Sequence, residues 1–323
     1  MEVLASGKGE FRVPDPDGFR EYVREHKPTA LVDKVMSEQE AVEKFVDDGD
    51  YLSCDCTMFQ RGPSSLIREI IRQRKKDLWF GAKFTWMAAT MLVAGGCVSR
   101  IDIGYQGLGR SLYRAIEEGK VKTTEWSNFA MTTRHLAGAM GVPFLPIRVL
   151  GGTETFEYSG AKMVQDPFTG EKICLVPAIN PDVGIVHVHQ CDIYGNARVF
   201  GASTAPQDTA MSSKKLIIST EEIIETEEIK SDPGRTTIPY FCVDAVVVAS
   251  FGAYPGTVPG CYACDPEHLL EYFMAAESDK MAEYLEKYVY SVESNLAFLE
   301  KRIGLARILE LKERETIKEG YHA

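Results

Sequence analysis

The chain has 323 residues, of which 45% are hydrophobic and 26% are charged, and its formal net charge is −11. This length suits one large α/β domain or two smaller ones. The acidic balance, with no basic cluster denser than residues 72–76, argues against a nucleic-acid partner. No apolar run is long enough to span a membrane, and residues 1–30 lack the apolar core of a signal peptide. These features favour a cytoplasmic protein with no membrane partner.

Cysteine usage favours reduced thiols, because eight cysteines in a long chain without a signal peptide do not form a disulfide framework. Cys54 and Cys56 form one close pair, and Cys261 and Cys264 form another. A zinc site would need both pairs to converge, and the first pair is more tightly spaced than usual zinc ligands. We therefore expect buried thiols and no metal.

The first 150 residues alternate between strand and helix patterns. Residues 1–31, with three prolines among charges, predict an arm lying on a surface, and Ser37 with Glu40 forms a capping box before a helix. Strand patterns follow at 51–53, 77–82, 99–105 and 121–126, and helix patterns at 64–76, 85–94, 111–118 and 127–140. Ser64 and Ser65 are expected to cap the first of these four helices. Such alternation predicts a largely parallel sheet with helices on both faces.

The second half is less regular at first. Residues 151–182 contain one short strand pattern at 172–176, within a long segment rich in glycine and proline. A central strand is predicted at 183–189 with an antiparallel return at 197–200, and two more strands are predicted at 214–220 and 244–250, joined by an acidic helix at 221–228. Helices at 266–290 and 294–312 complete the chain. We divide it into an arm at 1–31, an α/β domain at 32–290 and a helical tail at 291–323.

Candidate catalytic residues lie where predicted strands end. Asp55 is a candidate for positioning an acidic proton, and Arg61 for binding a substrate carboxylate through two hydrogen bonds; the alternative for each is an exposed loop residue. Glu125 is a candidate catalytic carboxylate, although we favour a structural role for it in capping or pairing. Cys54 or Cys56 is a candidate nucleophile only if Arg61 makes the pocket electropositive.

Two histidines, His187 and His189, alternate with valines and so share one side of the central strand. No carboxylate is spaced to complete a metal site with them. We therefore expect both histidines to be hydrogen-bonded residues of the core.

Several motifs in order carry a resemblance to a known family. They are GVPFLP at 141–146, DPF at 166–168, NPDVGIVHVH at 180–189, and DAVVVA at 244–249 leading into GAYP at 252–255 and GCY at 260–262. Over about residues 33–310 the chain resembles the α subunits of family I CoA-transferases, closest to the glutaconate type. The resemblance implies an αβα-layered α/β fold with a mostly parallel sheet and C-terminal helices.

The same resemblance implies a function and partners. In that family a glutamate attacks an acyl-CoA thioester, and CoA passes through an enzyme-bound thioester to a second carboxylic acid. That glutamate usually belongs to the β chain, and here the equivalent loop at 103–109 has none. The expectation is an α chain that needs a homologous β subunit, in an α2β2 or larger assembly, and uses coenzyme A as an acyl-CoA substrate without a permanently bound cofactor. Substrate contacts are implied for Gln106, Gly107, Gly252, Ala253 and Tyr254.

One stretch departs from the family pattern. Cys54, Asp55 and Cys56 stand where the family commonly has a glycine pair, whereas Gly62 and Pro63 are kept. We expect these side chains to enter the substrate crevice, beside Arg61 and Gly62, and to narrow it. A decarboxylase or hydrolase subunit on the same fold is the open alternative. A non-catalytic ligand sensor is a further alternative, but residues 1–50 do not resemble a DNA-binding segment.

Overall fold

The structure is a computed structural model that describes residues 2–84, 86–105 and 109–315. Its strands are β1 (Val3–Ser6), β2 (Tyr51–Asp55), β3 (Leu78–Phe84), β4 (Val98–Tyr105), β5 (Lys122–Glu125), β6 (Phe144–Ile147), β7 (Lys162–Gln165), β8 (Lys172–Pro177), β9 (Val183–Cys191), β10 (Ala197–Arg198), β11 (Lys215–Ile223) and β12 (Ala245–Val248). Its α-helices are α1 (Pro16–His26), α2 (Glu38–Phe45), α3 (Ser64–Arg72), α4 (Trp86–Ala94), α5 (Arg110–Glu117), α6 (Asn128–Met140), α7 (Glu154–Tyr158), α8 (Pro206–Ser212), α9 (Thr226–Ser231), α10 (Pro266–Glu277), α11 (Met281–Leu285), α12 (Asn295–Phe298) and α13 (Leu305–Glu313). Single π-helical turns extend α11 and α12.

The main sheet has the strand order β12-β11-β9-β2-β3-β4-β5, and all of these neighbours are parallel. The short β10 returns antiparallel beside β9, as expected. Parallel strands connected through helices place their carboxyl ends along one edge of the sheet. The predicted α/β class with a mostly parallel sheet is confirmed.

A second sheet was not predicted. Four strands in the order β1-β7-β8-β6 pair antiparallel, and three of them are only four residues long. The strands β6 and β7 bury one residue each, so they carry almost no period-two apolar signal. The segment 151–182, expected to be mostly irregular, supplies two of the four strands.

Helices cover both faces of the main sheet. The largest apolar core lies between the sheet and a layer that includes α2, α3, α4, α5 and α10. On the opposite face, α6 packs against β3 and β4 on one side and against β6 and β8 on the other, so it separates the two sheets. Among the described residues, no helix is long and apolar enough to cross a membrane.

Helix ends test the sequence rules. The capping box is present, with the Glu40 amide donating to Ser37 Oγ, and Ser127 caps α6. The expectation that Ser64 and Ser65 cap α3 is wrong, because Pro63 occupies that position and Ser64 Oγ donates to the Ala253 carbonyl. The expected helix at 221–228 is also misplaced: 221–223 belong to β11, and the helix spans Thr226–Ser231.

The predicted N-terminal arm contributes β1 and α1. Arg12 pairs with Asp182, and Lys27 Nζ lies 2.6 Å from Asp244 Oδ2, so charged contacts hold the segment on the main sheet. At the other end, the Phe298 ring of the predicted tail lies 5.7 Å from that of Tyr254. The domain boundaries remain predictions.

Candidate functional site

A small cavity of about 40 Å³ lies where β2 and β3 end and α3 begins. Helix α4 and the loop at 253–256 also border it. Its lining consists mainly of apolar side chains, thiols and backbone: Cys54, Cys56, Met58, Phe59, Gly62, Pro63, Ser64, Ile67, Phe84, Met87, Ala88, Met91, Ala253 and Gly256. Carboxyl ends of parallel strands are where open α/β sheets bind small ligands. The cavity is therefore the candidate site.

The wall between β2 and α3 is a strained loop. Thr57 and Gln60 exchange two backbone hydrogen bonds of 3.0 and 2.8 Å, which makes a tight turn with Met58 near its tip. Met58 and Arg61 have φ of 52° and 55°, a left-handed conformation that is uncommon for side chains of this size. Such strain persists only where surrounding contacts hold it, and it occurs often at functional sites.

A second loop, residues 251–257, holds the first in place. The Arg61 amide donates to the Thr257 carbonyl at 2.9 Å, and the Thr257 amide donates to the Phe59 carbonyl at 2.7 Å. A Cβ at Gly256 would lie 2.2 Å from the Phe59 carbonyl oxygen, so only glycine permits this approach. The two loops form one rigid wall of the cavity.

Glu221, at the end of β11, anchors the second loop. Its carboxylate accepts hydrogen bonds from the amides of Phe251 (2.8 Å) and Gly252 (3.2 Å) and from the hydroxyl of Tyr262 (3.0 Å). His187 Nε2 lies 2.7 Å from Glu221 Oε1. Sequence reasoning missed this role because it placed Glu221 in a helix. The available signal was a glutamate directly after the predicted strand 214–220.

The histidines of the central strand are core residues, as expected. His187 Nδ1 lies 2.8 Å from Ser219 Oγ, and His189 Nε2 lies 2.9 Å from the Pro259 carbonyl. Within 2–84, 86–105 and 109–315, no group of three or more His, Cys, Asp or Glu residues is placed to hold a metal ion.

Asp55 lies on the opposite face of β2 from Cys54 and Cys56, because successive strand residues point to opposite faces. Its carboxylate is fully buried and pairs with Lys83 Nζ at 3.2 Å and with Arg61 Nη2 at 3.4 Å, while Thr204 Oγ1 donates to it at 3.4 Å. We call Asp55, Arg61 and Lys83 the charged cluster. The expectation that Asp55 enters the crevice with the two cysteines is wrong.

Arg61 is not the exposed loop residue considered as its alternative role, since its side chain is fully buried and directed to Asp55. Burial alone would raise the pKa of Asp55, but Lys83 and Arg61 outweigh it and hold that pKa below its usual value. Sequence reasoning missed Lys83, although a lysine near the end of an apolar strand was a signal that a buried partner exists.

The side chains of Cys54 and Cys56 both line the cavity. Contact with Cys56 and burial raise the pKa of Cys54 well above its usual range, and the Cys56 thiol donates to the Phe84 carbonyl. Arg61 faces away, so the electropositive pocket required for a cysteine nucleophile is not formed.

The remaining candidates are placed differently. Glu125 ends β5, three strands from β2 and so roughly 14 Å from it across the sheet. Ala253 lines the cavity, but Gly252 serves the Glu221 anchor, and the Tyr254 hydroxyl donates to Asp265 at 2.7 Å outside it. Gln106 and Gly107 lie outside the described residues.

Comparisons with known proteins identify the family of this chain. The sequence profile of the coenzyme A transferase family matches residues 20–249. A protein of Archaeoglobus fulgidus is 41% identical over 99% of this chain and 73% of its own length. The α-type chain of glutaconate CoA-transferase from Acidaminococcus fermentans is 29% identical over 90% of this chain and 97% of its own.

Solved structures give the same result. The crystal structure of glutaconate CoA-transferase from A. fermentans matches with a TM-score of 0.83, covering 90% of this chain and 98% of that one. A variant of the decarboxylase AibA/AibB matches with a TM-score of 0.70 at 31% identity, covering 78% of this chain and 97% of that one. The resemblance expected from the motifs is confirmed: the chain belongs to the coenzyme A transferase family and is of the α-subunit type.

Proposed function

We propose that this chain is the α subunit of a heteromeric CoA-transferase whose nucleophilic glutamate is supplied by a homologous β subunit. The observation that carries the proposal is the composition of the cavity. Among the described residues that line it, none has a carboxylate, and contact with Cys56 together with burial raises the pKa of the Cys54 thiol well above its usual range. A covalent mechanism that requires a carboxylate nucleophile must then receive it from another chain.

The chemistry assigns this chain a supporting role. The glutamate of the partner would attack the thioester carbonyl, CoA would leave, and its return to the activated glutamate would give a glutamyl-CoA thioester and the free acid. A second acid then takes CoA by the reverse steps. This chain contributes an apolar wall that limits the access of water to the thioester.

The proposed assembly is α2β2 or larger, located in the cytoplasm, with an acyl-CoA and a carboxylic acid as substrates and no permanently bound cofactor. Contact with substrate is assigned to Cys54, Cys56, Gly62 and Ala253, because these candidates line the cavity. Asp55 and Arg61 are assigned to the support of the loop.

The proposal is tested by producing the chain alone and together with its β subunit. We expect CoA transfer between acids only from the complex. Reduction of the complex with borohydride after incubation with acyl-CoA, followed by mass spectrometry, is expected to find the modified glutamate on the β chain. Transfer activity from the partner-free chain, or modification of Asp55 or Glu125, would contradict the proposal.

A decarboxylase subunit is the second candidate, favoured by the 31% identity to the AibA/AibB chain. The same complex distinguishes the two functions. A decarboxylase releases carbon dioxide from an acyl-CoA with a second carboxyl group and needs no acceptor acid, whereas a transferase requires the acceptor. Acceptor-independent release of carbon dioxide would favour this candidate.

A further inference from the structure

Three cations are sequence neighbours of lining residues, and each of them makes its contacts outside the cavity. Arg61 and Lys83 are 0% and 2% exposed and pair with Asp55 on the other face of β2. Arg68, one turn into α3, donates to the Tyr254 carbonyl at 3.2 Å and to Asn295 Oδ1 at 2.6 Å, with its guanidinium over the Phe298 ring. No arginine, lysine or histidine is among the described residues that line the cavity.

The Ser64 hydroxyl and the Cys56 thiol of the lining are already engaged in hydrogen bonds. The Ser64 hydroxyl donates to the Ala253 carbonyl, and the Cys56 thiol donates to the Phe84 carbonyl. A carboxylate placed in this space would exchange part of its hydration for apolar contacts and gain no cation from the described lining, a change that disfavours its binding. The cavity therefore discriminates against a second carboxylate on the substrate.

The size and lining of the cavity set a second limit on the substrate. A space of about 40 Å³ accommodates only a few carbon atoms. Met87 and Met91 form part of its wall, and methionine side chains adapt to irregular apolar groups. Short aliphatic chains fit these two properties.

We propose that the cavity takes the apolar chain of the acyl group, so that the substrates are short monocarboxylic acids and their CoA thioesters rather than dicarboxylic acids. This inference rests on the proposed function and names the substrate class of the same site. It also assigns Ala88 and Met91 as residues that determine chain length, since both line the cavity from α4.

The test uses the complex of this chain with its β subunit. We expect kcat/KM for butyryl-CoA to exceed that for glutaryl-CoA at least about 100-fold, because glutarate adds a carboxylate to the chain. Ala88→Leu should shift the preference from butyryl- toward acetyl-CoA by about 10-fold, and Met91→Ala should shift it toward hexanoyl-CoA. Ala94→Leu is the matched control, since Ala94 is exposed on the same helix and should leave the profile unchanged.

Binding gives a second measurement that does not depend on turnover. Calorimetric titration of the complex is expected to show tighter binding of butyryl-CoA than of glutaryl-CoA, with the difference reduced in Ala88→Leu. Equal or preferred use and binding of glutaryl-CoA would overturn the inference while leaving the proposed function intact. Absence of transfer to any acid would instead refute the proposed function, and the binding comparison would still decide the inference.

Discussion

The two faces of the β2 end offer opposite environments within one residue of each other. On one face, Cys54 and Cys56 line the cavity beside α3 and α4, whose described lining residues carry no charge. On the other, Asp55 lies in the charged cluster with Lys83 and Arg61, closed by Thr204. The first face borders a cavity with no charged side chain among its described lining residues, and on the second face three buried charged groups pair with one another. Adjacent residues in a stretch that departs from the family pattern therefore need not serve one site, because successive strand residues point to opposite faces.

Among these predictions, breaking the charged cluster should cause the largest loss of unfolding free energy. Asp55→Ala leaves two buried cations without their carboxylate, and removal of one partner of a buried ion pair costs about 3–5 kcal/mol of unfolding free energy. Asp279→Ala is the matched control, since that carboxylate is exposed and pairs with Arg114 at the surface, where about 0–1 kcal/mol is expected. Urea denaturation measures both. Similar small losses would contradict the structural role of the cluster.

Acid should lower the unfolding free energy through His135, which lies on the same face of β2 as Asp55. His135 bridges Ser53 of β2 and Ser212 of α8 at 3.1 and 2.9 Å, and burial lowers its pKa from 6.5 to about 3. Below pH 6.5 the unfolded chain binds a proton that the folded chain does not, so stability falls as pH falls toward 3. Between pH 7 and pH 4 we expect a loss of about 3 kcal/mol from this residue.

The contribution of His135 is separated by substitution. His135→Gln should flatten the dependence of the unfolding free energy on pH between 4 and 7, although it lowers stability at pH 7. His26→Gln, at an exposed position of α1, should leave the slope unchanged. An unchanged slope in His135→Gln would show that the acid sensitivity arises elsewhere.

On the cavity face, the thiols should matter for packing and not for chemistry. Cys54→Ala is expected to cost about 1 kcal/mol, near the lower end for deletions in a core, and to retain turnover of the complex within a few-fold. Cys97→Ala removes a buried thiol of the same core that lies away from the cavity. It should have a similar stability cost and should also retain turnover. Loss of turnover in Cys54→Ala alone would assign chemistry to that thiol.

The smallest change in stability is expected at Gly62 of the cavity wall. Gly256, in the same wall, provides the contrast. A methyl group at Gly62 would lie 3.9 Å from Cys56 Cβ, an ordinary contact, so Gly62→Ala should change stability by less than about 0.5 kcal/mol. The same substitution at Gly256 would place its methyl 2.2 Å from the Phe59 carbonyl oxygen and must move backbone. Comparable melting temperatures for the two variants would show that the loops are not held rigidly together.

Much of the fold was predictable from the sequence, because long strand and helix patterns alternate and each apolar run must be buried. The second sheet was not, since strands such as β6 and β7 bury a single residue each and gain their pairing only from tertiary contacts. A four-residue strand in which buried and exposed residues do not alternate leaves too little local signal to be recognised.

The site was predicted in part for a related reason. Cys54, Cys56, Gly62 and Ala253 were expected to contact substrate, and the structure brings all four to the cavity. The separation of Asp55 from its neighbours depends on where β2 ends, and the predicted strand stopped two residues too early, at 53 rather than 55. The partnership of Asp55 with Lys83 joins two strands and has no local pattern.

Methyl resonances of the cavity methionines test the central claim most directly. In the complex with the β subunit, carrying ¹³C-methyl methionine, addition of butyryl-CoA is expected to shift the resonances of Met87 and Met91, whereas exposed Met274 on α10 should not respond. CoA alone should give smaller shifts at both cavity residues, which isolates the contribution of the acyl chain. Unchanged Met87 and Met91 resonances under conditions of measured CoA transfer would show that the acyl group binds elsewhere.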